Sequence, residues 1–261
     1  MKPQILILVL GCMLIFDSGT TLAEDTDPVF TLSAGMEVTS GDYGGVHDIE
    51  DIYTPFTATV DYGRMALRLT VPYLNVRAPE GTIITGPGGE PIPGEGPMTT
   101  NSGIGDVIAG ITLYDVLSNR RLGFAMDLSA KVKLGTADET KGLGTGENDY
   151  TVQANFLKFL DKITLIGSVG YKFRGDPVGI DLDDVLLVSA GGTYKLSERT
   201  KSGLFLDYRE SSIIGGDSGQ ELTGFVSHRV SDNWRFQVYL LTGFTDSSPD
   251  FGGGFLLKRS L

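Results

Sequence analysis

The stretch LGFAMDLSAKVKL, residues 122–134, decides the fold. Leu122, Phe124, Met126, Leu128, Ala130, Val132 and Leu134 share one parity, while Asp127, Ser129, Lys131 and Lys133 share the other. In an extended strand, every second side chain lies on the same face. One face of this segment is therefore apolar from end to end and the other is charged. The same alternation recurs along the chain. Phe30, Leu32, Ala34, Met36 and Val38 alternate with Thr31, Ser33 and Glu37. Met65, Leu67, Leu69, Val71 and Tyr73 alternate with Arg68 and Thr70. Ile163, Leu165, Val169, Tyr171 and Phe173 alternate with Thr164, Ser168, Lys172 and Arg174. Trp234, Phe236, Val238 and Leu240 alternate with Arg235 and Gln237.

The pattern predicts about twelve strands, near 29–39, 50–61, 65–76, 103–115, 121–136, 149–159, 163–174, 183–196, 201–211, 219–230, 233–244 and 250–260. Most are roughly 10–14 residues long, above the 5–6 usual in soluble sheets and enough for the roughly 9–11 of a tilted membrane strand. Short turns near 62–64, 117–120, 160–162, 197–200 and 231–233 alternate with longer connections near 40–49, 77–102, 137–148, 175–182, 212–218 and 245–249. This alternation marks a bacterial outer-membrane barrel, with an apolar face turned to lipid and a polar face turned inward. In lipid an open sheet edge would leave backbone groups unpaired, so the sheet must close. The expected class is therefore all-β: a closed antiparallel transmembrane β-barrel. An even strand count puts both termini on the short-turn, periplasmic side and the long loops outside the cell.

Composition narrows the partners. With 36 Gly, 41% apolar and 21% charged residues among 261, the chain suits neither a helical bundle nor a disordered protein. A net charge of −12 argues against nucleic acid. Two His and one Cys offer neither a multi-His metal centre nor a disulfide framework, and no cofactor is expected. Lys2, the apolar run Ile5 to Phe16 and the small residues of Thr21-Leu22-Ala23 read as a secretory signal over 1–23, with the barrel over 24–261. The expected surroundings are the lipid bilayer, lipopolysaccharide and the outer-membrane assembly machinery. The chain ends in Leu261 instead of the aromatic residue many barrels present to that machinery, although Leu261, Leu257, Phe255 and Phe251 keep the apolar parity.

Several residues stand out. Tyr62, Tyr73, Tyr150, Phe173, Tyr194, Tyr208, Trp234, Phe244 and Phe251 sit near apolar strand ends and fit interfacial girdles. Pro55 and Pro72 fall inside expected strands, where a closed barrel has no edge to hide a missing N–H; either a bulge lies there or the strand boundaries differ. More than half of the 33 acidic residues fall in the longer loops or their flanks, among them Asp42, Asp48, Asp51, Glu90, Glu221, Asp246 and Asp250. They form a solvated face or attract cations to a mouth. Asp181, Asp183 and Asp184 offer carboxylates to Ca²⁺, though without EF-hand spacing. The Pro/Gly-rich connection 77–102 reads as a mobile surface loop in preference to an inward constriction.

The candidate site is the inward face: Arg68, Asp106, Asp127, Lys131, Lys133, Gln153, Asn155, Lys172, Asp207, Arg209, Arg235 and Gln237. Buried charges need partners or water, so this set suits a hydrated lumen or an ion-paired plug. Twelve strands give a backbone radius of roughly 12 Å, leaving at most a few ångströms for passage. Catalysis is not expected. Ser227 and His228 fall on opposite strand faces, His47 lies in a Gly-rich loop, and Gly142 to Gly146 lacks the Lys-Ser/Thr of a phosphate loop.

Ser102-Gly103-Ile104-Gly105-Asp106-Val107, followed by Lys133-Leu134-Gly135-Thr136-Ala137-Asp138, Lys141 to Gly146 and Asp149-Tyr150, resembles a known pattern. It is similar to that of the outer-membrane barrels named for the MetA pathway of phenol degradation. These members more often carry Pro-Thr-Gly where this chain has Gly135-Thr136-Ala137. The resemblance implies a transporter for small, aromatic or hydrophobic compounds, without established binding residues. Together these readings give passive passage of small solutes, the alternative being a plugged surface-binding or structural barrel.

Overall fold

The computed structural model describes residues 27–87 and 89–261; the expected signal segment lies outside them. The strands are β1 (Val29–Gly41), β2 (Ile49–Tyr62), β3 (Met65–Pro79), β4 (Met98–Ile104), β5 (Val107–Asn119), β6 (Phe124–Leu134), β7 (Asp149–Leu160), β8 (Ile163–Phe173), β9 (Val185–Lys195), β10 (Thr200–Arg209), β11 (Gly219–Arg229), β12 (Trp234–Gly243) and β13 (Phe251–Ser260). β4 and β5 form one passage, since both pair with β3. Successive passages pair antiparallel, and β13 returns to β1 through Thr31↔Ser260 to Ser40↔Phe251. The result is a closed twelve-strand barrel.

Side-chain parity follows the sequence. Phe30, Leu32, Met36 and Val38 are exposed on the outside of β1, whereas Thr31 is 4% exposed. Outward apolar surface on this scale would aggregate in water; hydrocarbon solvates it. Tyr62, Tyr194 and Trp234 form an exposed aromatic group near the short-turn end, and Tyr150, Phe173, Tyr208, Phe244 and Phe251 form another near the loop end.

Pro55 and Pro72 are cross-strand partners on β2 and β3, and the strands run straight through both. Each missing N–H faces the opposite neighbour, where the ladder is already interrupted. On the β1 side, pairing lapses between Ala34↔Phe56 and Glu37↔Tyr53. On the other side, three steps along β3 oppose four along the partner, from Tyr73↔Ile104 to Thr70↔Ile108. The extra residue lies at Gly105-Asp106, and Gly105 N donates to Pro72 O at 2.9 Å. β3 therefore continues through Pro72, and a bulge at Gly105-Asp106 on the partner passage accommodates the missing N–H.

The inward face is less uniformly polar than expected. Phe205, Phe225, Tyr239, Leu241 and Leu256 point inward and are at most 4% exposed. Neighbouring strands supply the space. Phe225 opposes Gly203, and Tyr239 opposes Gly254. A Cβ built on Gly254 would sit 2.7 Å from the Tyr239 hydroxyl. The Phe205 and Phe225 rings stack with centroids 6.2 Å apart.

Candidate functional site

The site is the loop end of the barrel. Contrary to the surface-loop expectation, the described part of residues 80–97 folds inward and straps the mouth. Its chain doubles back where Ile83 and Ile92 exchange backbone hydrogen bonds of 3.0 and 2.9 Å. Ile84 N donates to Gly142 O at 2.9 Å, tying the strap to the loop after β6. Ile84 and Leu143 then pack with Ile49, Tyr53, Leu74 and Val76 in one apolar cluster. Burial of these side chains offsets the ordering entropy of a Pro/Gly-rich segment.

The strap carries Glu90, 2% exposed, to the far side of the ring. Arg209 Nη1 donates to Glu90 Oε2 at 3.3 Å. Glu90 Oε1 accepts from Ser211 Oγ at 2.6 Å, Ser212 N at 2.9 Å and Ile213 N at 3.1 Å. Arg209 also donates to Ser247 O at 2.6 Å. The strap leaves β3 and docks beyond β10, on opposite sides of the ring order.

The motif that carries the family resemblance builds a second support. Lys133 Nζ donates to Asp106 Oδ2 at 3.0 Å, Thr145 Oγ1 at 3.0 Å and Glu147 O at 3.1 Å, and lies 3.6 Å from Asp149 Oδ2. Asp106 Oδ1 accepts from Thr136 N at 3.0 Å and Ala137 N at 2.9 Å. The Gly86 backbone passes so close that an added Cβ would lie 2.9 Å from Lys133 Cδ. These residues hold the loops in place, so Asp106 and Lys133 act first as structure. Arg174, just past β8, lies 3.9 Å from Asp149, and burial lowers its pKa against the opposing pull of that carboxylate. Asp184 and Asp176 accept from backbone N–H groups of their own surroundings, Arg174 N and Leu182 N.

Four of the remaining expected residues, Arg68, Lys131, Lys172 and Asp207, fall on two walls. Arg68, Gly110, Lys131, Thr151 and Lys172 fall in one register row from β3 to β8, placing three basic residues on one arc. Asp207 opposes Glu221 across β10 and β11. Glu37 of β1 and Asp51 of β2 share electrostatic contact with each other, and Glu221 with Glu37. In ring order the acidic residues therefore sit on β10, β11, β1 and β2, and the basic row on β3 to β8. Asp127 belongs to the short-turn half, where its Oδ1 accepts from Asp115 N at 2.8 Å and caps a bulge. Gln153 Nε2 donates to Asn155 Oδ1 at 2.7 Å, while Gln237 and Arg235 lie on β12. Sequence reasoning grouped Asp51, Glu90 and Glu221 with the loop acids. Strand parity carried the signal for Asp51 and Glu221, and Glu37 shares the inward parity of β1.

Ser227 is 3% exposed on the inner face, and His228 on the outer face pairs through Nδ1 with Thr200 Oγ1 at 2.9 Å, so the two form no Ser–His pair.

A closed barrel with outward-facing aromatics and an inward strap defines a β-barrel of the outer-membrane type. The family model described as "Putative MetA-pathway of phenol degradation" matches residues 19–257, and the chain belongs to that family. The COG4313 outer membrane channel from Pseudomonas putida F1 matches with a TM-score of 0.68 at 13% identity, over 94% of this chain and 99% of that one. The KdgM porin matches with a TM-score of 0.58 at 8% identity, over 88% and 99%. The NanC porin matches with a TM-score of 0.58 at 9% identity, over 88% and 100%. At such identities the likeness establishes the fold. Comparison with curated protein sequences finds no match.

Proposed function

We propose that the chain is a narrow outer-membrane channel for passive passage of small solutes. The observation that carries this reading is the segregation of inward charge around the ring: Arg68, Lys131 and Lys172 on β3 to β8, and Glu37, Asp51, Asp207 and Glu221 on β1, β2, β10 and β11. Lys131 Nζ and Glu221 Oε2 are buried without hydrogen-bond partners, a state that water in a lumen relieves. Opposed charges set up a transverse field that orients polar solutes. The family's name and the inward Phe205–Phe225 stack support aromatic or hydrophobic solutes. The short turns, the start of β1 and the end of β13 lie at one end, which supports a periplasmic placement for that end and an outer, lipopolysaccharide-facing placement for the strapped mouth.

A plugged barrel is favoured by one observation: inward Thr223, Phe205 and Gln237 are 0%, 1% and 1% exposed, the packing of an interior. Refolded barrel in a planar bilayer under a salt gradient separates the two. Stepwise currents with a defined reversal potential support the channel. Silence from folded, heat-modifiable protein overturns it and leaves the plugged barrel.

A further inference from the structure

Beneath the strap lies a cavity of about 70 Å³. One water needs roughly 10–15 Å³ of such space, so the cavity takes a ligand of a few heavy atoms. Glu37, Asp51 and Glu221 line it from β1, β2 and β11. Tyr43, Tyr53, Ile49, Leu74, Ile84 and Leu143 supply aromatic and aliphatic walls.

The charge in this chamber is mostly negative. Arg209 is the one basic residue among the described residues lining the cavity; Glu90 and Ser247 O hold it, and its charge also acts on Glu221. Asp106 also lines it and is held by Lys133. Glu221 is 6% exposed, yet its Oε2 has no hydrogen-bond partner, and neither has Asp51 Oδ1. A buried carboxylate oxygen without a donor is costly, and a cation bearing N–H groups removes that cost.

We propose that this chamber binds a small organic cation, a primary ammonium on an apolar body, with its charge on Asp51 and Glu221 and its body against Tyr43, Tyr53 and Leu143. Inorganic cations satisfy the charge alone and leave the aliphatic wall unused. Two electrostatic features accord with this geometry. The Tyr43 hydroxyl, in the loop after β1, has its pKa raised by burial first and then by Glu221 and Asp51, so it senses the negative potential. On the rim, Asp250 has its pKa raised by burial and by Asp42, Asp48 and Asp246, which marks an acidic approach that concentrates cations.

The inference rests on the channel reading for the ligand's route alone, so binding is measured apart from conductance. n-Butylammonium chloride is titrated by calorimetry into the folded full-length barrel in detergent, with 1-butanol, butyrate and potassium chloride as matched probes. We expect saturable binding of butylammonium and none of butanol or butyrate. In Glu221→Gln and in Asp51→Asn, each checked for heat-modifiability, affinity falls by about tenfold or more. Equal binding of butanol, equal competition by potassium, or unchanged affinity in both variants overturns the proposal. If one variant does not fold, the other carries the test. Binding without conductance keeps the site and removes the channel; conductance without binding does the reverse.

Discussion

Glu90→Ala removes the anchor of the strap and nothing from the barrel wall. The Glu90 carboxylate is 2% exposed and collects five hydrogen bonds from Arg209, Ser211, Ser212 and Ile213, one of them from a guanidinium. Breaking a buried ion pair by deleting one partner costs about 3–5 kcal/mol, because the other charge stays buried and unpaired. Here the strap can leave its seat, so the cost appears as release of the strap instead of unfolding of the strands, which keep their own ladders. A change of about 3–5 kcal/mol shifts that local equilibrium by roughly 10²–10³-fold or more. Two assays read it. Cleavage by a glutamate-specific protease at Glu80 or Glu95 accelerates in folded barrel, and single-channel currents become larger or longer-lived. Heat-modifiability stays near that of the wild type. If cleavage rate and current are unchanged while the protein is folded, Glu90 does not hold the strap. Glu90→Gln keeps most donors' partner but loses the charge, so its effect falls between the two.

Lys131→Glu removes one member of the basic arc and adds an acid to it. The reversal potential under a salt gradient then moves toward cation selectivity, and an unchanged potential would show that this wall does not face the permeation path. Lys133→Met leaves Asp106 and Asp149 buried without their shared cation, at a cost of about 3–5 kcal/mol read as earlier loss of the heat-modifiable form; adding Asp106→Asn, which keeps the acceptor for Thr136 N and Ala137 N and removes the unpaired charge, recovers part of it, and no recovery refutes the coupling. Gly203→Val drives a side chain into the Phe225 ring and costs about 1–3 kcal/mol. Phe225→Ala in the same chain relieves the clash, and a double variant no more stable than Gly203→Val alone would count against the pairing.

Parity made the wall of the barrel legible, because lipid and lumen are opposite environments and each strand alternates between them. The stretch 122–134 is enough to place Asp127, Lys131 and Lys133 on the inner face. Parity gives a face and no more. Whether an inward position is open or filled depends on the residue across the ladder, and that residue lies on another strand. Phe225 fits inside because Gly203 opposes it, and Tyr239 because Gly254 does. Neither strand states this alone; it exists only once the register is fixed. The strap poses the same difficulty at longer range. Glu90 sits among prolines and glycines, a context that reads as solvent-exposed, and its burial is decided by the backbone N–H groups of Ser212 and Ile213 on the opposite side of the ring. The motif in 102–150 stands out for its glycines and aspartates, and its residues hold loops. Clamps of this kind demand particular residues at particular spacings, whereas a chamber that admits a flexible ligand does not. The residues easiest to recognise in this chain are therefore its supports, and the ones that would meet a solute are scattered one per strand.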